Sequence, residues 1–276
     1  MLLYAAVSGT TSTGAATAAE SAPGSGALHL GVTLPNWTDG ASPAAIRRIA
    51  AAAEEHGFDS VWATEHVILG PEAAERYGLV YEPWVTLGWT AGWTERVELG
   101  TSILIVPLHS PMRVAKQVAS LWELSGRRVR LGVGAGWHED EFRFMDVEFS
   151  GRGRRTDEAL RVMRALWEGE TSFEGEFWQF ADATFAPLPP ERPEIWVGGV
   201  KRSAIRRALE LGDVWHPSSN VEMSFVREVM AEHPHLRLVP RTPPERVDEY
   251  LALGADGAVV TFTDERAMRD FARRYR

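Results

Sequence analysis

The sequence predicts an α/β fold, a (β/α)8 barrel of the TIM type with a hairpin inserted after the fourth helix. Two observations predict it: short apolar runs alternate with segments of helical periodicity, and residues 28–276 hold eight such units. This alternation indicates parallel strands joined by right-handed crossovers. Eight units favour a closed barrel over an open doubly wound sheet, which usually has about five to seven strands.

The first four units each pair an apolar strand segment with a helix. Ser42 and Pro43 begin the first helix and Gly57 ends it. The third helix has the same signals in Ser110, Pro111 and Gly126, and Pro83 begins the second. The strand segments are 28–35, 58–64, 97–106 and 127–134. The helical segments that follow them are 42–57, 83–94, 110–126 and 156–169.

After the fourth helix the alternation is interrupted. Residues 171–189 alternate apolar and polar side chains around Gly175, which predicts a hairpin inserted at residues 170–190. We therefore expect one barrel domain over residues 28–276. The remaining strand segments are 194–199, 213–218, 235–240 and 256–262. The remaining helical segments are 201–212, 221–232, 243–254 and 264–276.

Composition and charge disfavour several classes of function. The 276 residues include 29 basic and 38 acidic side chains, and the net charge of −9 disfavours nonspecific binding to nucleic acid and anionic membranes. No run approaches the ~18 consecutive apolar residues of a membrane span. Cysteine is absent, which removes disulfides and thiol nucleophiles and fits a cytoplasmic protein. Residues 1–27 are mostly small and polar, so we expect a flexible N-terminal extension there.

Candidate site residues follow the strand segments, because ligands of both folds bind at the carboxyl ends of the strands. Glycine leaves backbone N–H groups free for phosphate, Trp and Ile supply flat apolar walls, and His supplies proton chemistry. Together they suggest a pocket for a phosphorylated planar ligand such as a flavin-like cofactor, and no metal site is predicted. The candidates are Trp37, Glu65, His66, Ser102, Ile103, Ala135, Gly136, Trp137, His138, Gly198, Gly199, Trp215 and His216.

Each of these features also has a purely structural interpretation. His66, His138 and His216 fit buried structural histidines, and the glycine pair at 198–199 fits a packing turn. The motif GVGAGW (132–137) superficially resembles a dinucleotide-binding turn, but a lone GxGxG is a weak signal. The sequence has no HExxH, GxSxG or P-loop motif, so zinc hydrolysis, serine hydrolysis and kinase chemistry have no local support.

Several longer segments occur in an order typical of one enzyme family. The chain resembles the luciferase-like monooxygenase superfamily in ERVELGTSILIVPLHSPMRVAKQVASLWELSG, RVRLGVGAGWHEDEF, GRGRRTDEALRVMRALWEG with SFEGEFWQF, IWVGG and LGDVWHP. The resemblance is strongest to an actinobacterial branch of deazaflavin-dependent oxidoreductases and runs from Leu28 to Ser218. It implies a (β/α)8 barrel with insertions, which agrees with the eight units counted above.

The resemblance also implies a cofactor, FMN or coenzyme F420, at the C-terminal mouth of the barrel. It implies a non-proline cis peptide at Ser102–Ile103 against the ring system, and an active-site histidine at His66. Trp137 stands where sugar-phosphate dehydrogenases of the superfamily have glutamate, which disfavours sugar-phosphate oxidation. The implied phosphate contacts are Ala135, Gly136, Gly198 and Gly199.

The leading hypothesis is F420-dependent hydride transfer to or from a small apolar or aromatic substrate. His66 would supply or remove the substrate proton, with Glu65 as its orienting partner. Trp137 would lie beside both cofactor and substrate. The expected substrate pocket consists of Trp37, His138, Trp215 and His216.

Two further hypotheses remain open. The first is an FMNH2-dependent monooxygenase served by a separate reductase, and a homodimer is possible with either chemistry. The second is a degenerate barrel that binds a cofactor or ligand without turnover. Two departures from the superfamily motivate it: Trp122 and residues 126–128 replace an Asp and a Gly-Gly-Arg run, and residues 217–240 are short compared with many relatives.

Overall fold

The computed structural model describes residues 27–276, and its strands follow the predicted order. Apart from Ala27, the predicted flexible extension lies outside the described residues. The strands are β1 (His29–Thr33), β2 (Ser60–Ala63), β3 (Glu98–Thr101), β4 (Leu104–Ile105), β5 (Val129–Gly134), β6 (Phe173–Glu174), β7 (Gln179–Phe180), β8 (Ile195–Val197), β9 (Val214–Trp215), β10 (Arg241–Thr242) and β11 (Gly257–Val260).

Helices follow most of the strands, and the first of them begins at the predicted capping residue. The Oγ atom of Ser42 accepts a hydrogen bond from the N–H of Ala45 at the start of the first helix, with a donor–acceptor distance of 3.1 Å. None of the described helices is long and apolar enough to cross a membrane. The helices are α1 (Pro43–Glu55), α2 (Pro71–Tyr77), α3 (Pro83–Ala91), α4 (Pro111–Leu124), α5 (Glu139–Phe144), α6 (Arg152–Trp167), α7 (Arg202–Leu211), α8 (Met223–Glu232), α9 (Val247–Leu251) and α10 (Glu265–Tyr275).

The parallel strands close into a barrel, which confirms the predicted fold class. They pair in the order β10-β11-β1-β2-β3-β5-β8-β9. The ring is closed by the segment before β10, where Trp215 of β9 forms a parallel bridge with Leu238. The N–H of Trp215 donates to the carbonyl of Arg237 at 2.8 Å, and Val239 donates back to Trp215 at 3.0 Å. The seventh barrel strand therefore spans about the predicted segment 235–240 and continues into β10.

The interior of the barrel is filled by side chains. Trp62 and Trp196 lie with their ring centroids 4.5 Å apart and pack with valines of the later strands. Gly100 makes room for this packing, because a Cβ atom there would lie 2.2 Å from the Trp62 ring. With the interior closed by these two indoles, a ligand has space only at the ends of the strands.

Two segments depart from the simple strand–helix alternation. After α6, the strands β6 and β7 pair in antiparallel fashion. Glu158 of α6 anchors the turn between them by accepting hydrogen bonds from the N–H groups of residues 176, 177 and 178. The short helices α2 and α5 lie in the loops after β2 and β5, and both help to build the wall of the site described next.

Candidate active site

A cavity of about 650 Å³ opens at the C-terminal ends of the barrel strands. The predicted residues that line it are Trp37, Glu65, His66, Ser102, Ile103, Gly136, Trp137, Gly198, Gly199 and His216. The cavity is also lined by residues that were not singled out from the sequence. They are Thr64, Arg76, Tyr77, Ile105, Ser218, Ser219, Asn220, Arg241, Thr242, Pro243 and Thr261.

Trp215 was expected in the substrate pocket and lies instead in the core between barrel and helices. It is fully buried, and its ring packs edge-to-face on Phe225 of α8. Its Nε1–H donates to the carbonyl oxygen of Gly199 at 2.9 Å. Successive side chains of a strand point to opposite faces, so the neighbouring His216 faces the cavity and Trp215 points away from it.

Two further predicted residues do not line the cavity. His138 lies at the start of α5, where its Nε2 accepts a hydrogen bond from the N–H of Gly70 at 3.2 Å. It therefore connects the loop after β5 to the loop after β2. Ala135 is half-buried between two glycines of the same loop and is not part of the cavity wall.

The floor of the cavity is formed at the end of β3 by the Ser102–Ile103 peptide, which is cis as the resemblance implied. Neighbouring glycines leave space for the Ile103 side chain. A Cβ atom on Gly134 would lie 2.7 Å from Cδ1 of Ile103, and one on Gly198 would lie 2.8 Å from its Cγ2. Because both glycines lack that atom, the isoleucine can lie flat at the base of the cavity.

Polar groups of Ser102 are all held by neighbours from other strands. Its carbonyl oxygen accepts hydrogen bonds from Thr64 Oγ1 at 2.8 Å and from Arg241 Nη1 at 2.9 Å. Its N–H donates to Ala63, and its hydroxyl lies 2.9 Å from Nε2 of His216. The backbone at the cavity floor is therefore fixed on both sides.

His216 is a neutral hydrogen-bonding residue in this network. Its Nδ1 lies 2.5 Å from the carbonyl oxygen of Val239, which can only accept, so Nδ1 carries the proton. Nε2 is then the acceptor for the Ser102 hydroxyl. Burial lowers the pKa of His216 to about 4, so the ring is uncharged at neutral pH. His216 therefore positions the hydroxyl of Ser102 as a neutral acceptor.

His66 and Glu141 form a buried pair at the side of the cavity. Nδ1 of His66 lies 2.8 Å from Oε2 of Glu141, and Oε1 of the same carboxylate accepts the N–H of Val67 at 2.6 Å. Both side chains are almost completely shielded from solvent. Nε2 of His66 makes no hydrogen bond within residues 27–276, and the residue lines the cavity. This is the arrangement of a histidine whose tautomer and orientation are set by a carboxylate.

Glu65 does not pair with His66, contrary to the sequence-based expectation. Its Oε2 accepts the N–H of Ile105 at 2.6 Å, and its Oε1 lies 2.8 Å from Nε2 of His109. Burial alone would lower the pKa of His109, but the hydrogen bond and the charge of Glu65 outweigh it and raise that pKa. Glu65 therefore holds the segment after β3 in place, and Glu141 takes the orienting position beside His66.

An aromatic wall connects the histidine to the opposite rim. The His66 ring lies 4.1 Å from the ring of Tyr77, which lies 5.8 Å from Trp37 and 6.3 Å from Trp137, all measured between centroids. Trp137 is 54% exposed and stands at the mouth. Beyond Trp37, the guanidinium carbon of Arg241 lies 5.4 Å from the indole centroid.

The glycine pair after β8 has the open backbone expected of a phosphate-binding turn. Gly199 has φ of 125°, a value that favours glycine, and α7 begins three residues later without a side-chain cap. Arg202, which follows, is not free to add positive charge, because it forms ion pairs with Glu228 and Glu232. Within the turn itself, the N–H of Gly198 already donates to the carbonyl oxygen of Val133 at 2.7 Å.

Within residues 27–276, no group of three or more potential metal ligands from His, Cys, Asp and Glu lies together.

A model of the luciferase-like monooxygenase family matches residues 18–275 of the chain. The chain belongs to that family.

Several proteins similar to this luciferase-like family member have been described. An uncharacterized protein of Mycobacterium tuberculosis is 35% identical over 176 residues, which are 59% of this chain and 61% of that protein. The chain thus matches about three fifths of the length of this relative. An F420-dependent glucose-6-phosphate dehydrogenase of Nakamurella multipartita is 31% identical over 242 residues, covering 83% of this chain and 67% of the relative.

A solved structure supports the same fold. An F420-dependent secondary alcohol dehydrogenase, in complex with an F420-acetone adduct, superposes with a TM-score of 0.65. It shares 22% sequence identity and covers 90% of this chain and 82% of that one. At this identity the likeness establishes the barrel architecture of the luciferase-like chain.

Proposed function

We propose that this chain is an oxidoreductase that uses coenzyme F420 for hydride transfer to or from a small apolar or aromatic substrate. The observation that carries the proposal is the buried His66–Glu141 pair, because it leaves Nε2 of His66 free at the wall of the cavity. The name of the Nakamurella relative supports F420 as the cofactor.

The residues present fit such a cofactor. Ile103 provides a flat apolar surface that neighbouring glycines leave free, and a planar ring packs well on a surface of this kind. Gly136 and Gly199 present backbone in conformations with positive φ, where N–H groups are available to a phosphate. A deazaflavin held there would supply a ring carbon that accepts or gives up a hydride, and its reduced form would react poorly with oxygen.

His66 moves the proton that accompanies the hydride. Glu141 accepts the hydrogen bond from Nδ1, so the other ring nitrogen, Nε2, is the atom that takes or gives a proton at the cavity wall. Glu141 is a positioning residue, because it touches the histidine and not the cavity. Tyr77, 4.1 Å from the His66 ring centroid, restricts the orientation of the imidazole further.

The substrate would lie against the aromatic wall formed by Trp37, Tyr77 and Trp137. These rings provide an apolar surface beside His66. Trp137, in the position where sugar-phosphate dehydrogenases of the superfamily have glutamate, disfavours sugar phosphates as substrates.

An FMNH2-dependent monooxygenase served by a separate reductase is the second candidate, because the family whose model matches the chain is named for monooxygenases. For either chemistry we place the protein in the cytoplasm, which the absence of cysteine supports.

A homodimer through α3 and the end of α4 is also part of the proposal. Val85 and Leu124, 72% and 84% exposed, support it as unusually exposed apolar side chains.

Activity assays with two cofactor systems test the proposal. Reduced F420 is supplied without oxygen to the purified protein together with a panel of ketones, enones and aromatic acids, and the absorbance of oxidised F420 is followed. In parallel, FMN with a flavin reductase is supplied in air, and oxygen uptake is recorded. Substrate-dependent oxidation of reduced F420 is expected. Activity only in the second assay, seen as substrate-dependent oxygen uptake, would establish the monooxygenase. Inactivity in both assays would favour the non-catalytic barrel.

A further inference from the structure

Arg241 lies at the wall of the cavity, and no acidic side chain of residues 27–276 forms an ion pair with its guanidinium group. Its Nη1 donates to Thr64 Oγ1 at 2.7 Å and to the carbonyl oxygen of Ser102 at 2.9 Å. Within the described part of the chain, Nε and Nη2 make no hydrogen bond and the residue forms no ion pair. One edge of the guanidinium is thus anchored on the cavity floor, and the edge formed by Nε and Nη2 is free.

The carboxylates near the cavity are already engaged. Glu65 accepts from Ile105 and pairs with His109, and Glu141 accepts from Val67 and pairs with His66. Burial lowers the pKa of Arg241 to about 10, Tyr77 acts in the opposite direction, and the neighbouring Arg76 lowers it further. Arg241 therefore stays charged at neutral pH although no acidic side chain among the described residues pairs with it.

The orientation of the free edge is set by the aromatic wall. The guanidinium carbon lies 5.4 Å from the ring centroid of Trp37, which restricts movement of the group by a cation–π contact. Trp37 contacts Tyr77, and Tyr77 contacts His66. A ligand held on Arg241 would thus extend along Trp37 and Tyr77 toward the histidine.

We propose that Arg241 binds a carboxylate of the substrate through Nε and Nη2. A planar carboxylate accepts two parallel hydrogen bonds from this edge of a guanidinium. A single neutral oxygen atom cannot form this paired arrangement. The inference rests on the proposed oxidoreductase function and narrows its substrate to an apolar or aromatic carboxylic acid. The acid group lies at Arg241, and the part that reacts lies toward His66.

The experiment measures binding without turnover, using benzoate and its neutral isostere benzamide. Both are titrated calorimetrically into cofactor-free protein and into protein saturated with F420. Benzoate is expected to bind at least about tenfold more tightly than benzamide, and Arg241→Gln is expected to remove that preference. Arg241→Lys keeps the positive charge but lacks the two-nitrogen edge of the guanidinium, so it should retain only part of the preference for benzoate over benzamide. Arg266→Gln, an exposed arginine of α10, is the matched control and should bind benzoate like the wild type.

Separate readouts keep this inference distinct from the proposed cofactor. The fluorescence of F420 reports its own affinity for every variant, and circular dichroism reports folding. Equal binding of benzoate and benzamide to the wild type would overturn the inference, as would tight binding of inorganic phosphate in place of benzoate. So would competition between benzoate and F420 together with loss of F420 binding in Arg241→Gln, because Arg241 would then serve the cofactor. An Arg241-dependent benzoate preference in a protein that does not bind F420 would uphold the carboxylate site and refute F420 as the cofactor.

Discussion

Nδ1 of His66 lies 2.8 Å from Oε2 of Glu141, and this pair joins the loop after β2 to the helix α5. The same carboxylate holds the backbone N–H of Val67, so it fixes both the ring and the loop that carries it. The two residues are 75 positions apart in the chain. A carboxylate with this double contact leaves the histidine little freedom except to exchange a proton at Nε2.

Replacing His66 by alanine should lower turnover by ~10²–10⁴-fold, because the acid–base group is removed. The affinity for F420 should stay within a few-fold of the wild type, since Ile103 and the glycine loops are unchanged. Single-turnover oxidation of reduced F420 measures the first quantity and a fluorescence titration the second. His235→Ala, an exposed histidine away from the cavity, is the control. Turnover unchanged in His66→Ala would remove this residue from the reaction.

Glu141→Gln should reduce kcat about 10²-fold or more while leaving KM and cofactor affinity near their wild-type values. The glutamine oxygen can still accept the Val67 N–H, but its NH2 group then faces Nδ1 of His66 and favours the opposite tautomer. Glu141→Asp, which keeps the charge, should recover part of the activity. A parallel loss of kcat and cofactor affinity, with a lowered melting temperature, would mean that Glu141 only supports the fold.

Gly198→Ala should weaken F420 binding and destabilise the protein by about 1–3 kcal/mol. The new methyl group would lie 2.8 Å from Cγ2 of Ile103 and 3.2 Å from the Val133 carbonyl oxygen, so Ile103 must move into the cavity. Gly88→Ala in α3 is the matched control, because its methyl group would meet nothing within 4 Å. The control should be neutral or stabilising by up to about 1 kcal/mol. Urea unfolding and F420 titration of both variants are the measurements, and equal behaviour would contradict the packing argument.

The stability of the protein should fall as the pH drops from about 6.5 toward about 4. Burial lowers the pKa of His216 to about 4, whereas the unfolded chain titrates near its ordinary value of 6.5. In this window the unfolded state binds the extra proton, so His216 contributes stability that is complete above pH 6.5 and is lost toward pH 4. The full contribution is of the order of 3 kcal/mol. Urea unfolding at several pH values gives the free energy of unfolding as a function of pH. Between pH 6.5 and 5 its slope should be smaller for His216→Asn than for the wild type. Identical slopes would contradict the lowered pKa of His216.

Trp215→Phe should change stability and leave substrate selectivity unchanged. The substitution removes the hydrogen bond to Gly199, worth about 1 kcal/mol, together with part of the packing against Phe225. Trp37→Phe, at the cavity wall, provides the comparison and should alter KM with little loss of stability. A change in substrate preference for Trp215→Phe would show that this indole reaches the substrate.

Much of the site followed from local sequence patterns. Apolar periodicity located the strand ends, and His66, Ile103, Gly136 and Gly198 line the cavity because the residues after parallel strands meet at one end of a barrel. The resemblance added the cis bond at the floor. The prediction of the cavity-lining residues needed only the position of each strand end in the chain.

Tertiary contacts decide which side chains pair with each other and which side of a strand faces the cavity. Local sequence patterns therefore could not predict these features. Glu141 belongs to an acidic run that indicates a helix start, and nothing local connects it to His66. Arg241 follows the seventh strand segment directly, so the strand-end rule would have found it if it had been applied there. Trp215 and His216 are adjacent at the end of β9, and one position of register decides which of them faces the cavity.

A binding titration decides whether this barrel holds a deazaflavin. Purified protein, freed of cofactor, is titrated with F420 and separately with FMN while the fluorescence of each ring is followed. We expect saturable binding of F420 at one site per chain, at least about tenfold tighter than the binding of FMN, and weaker in Gly198→Ala. Tighter binding of FMN, or binding of neither cofactor, would contradict it.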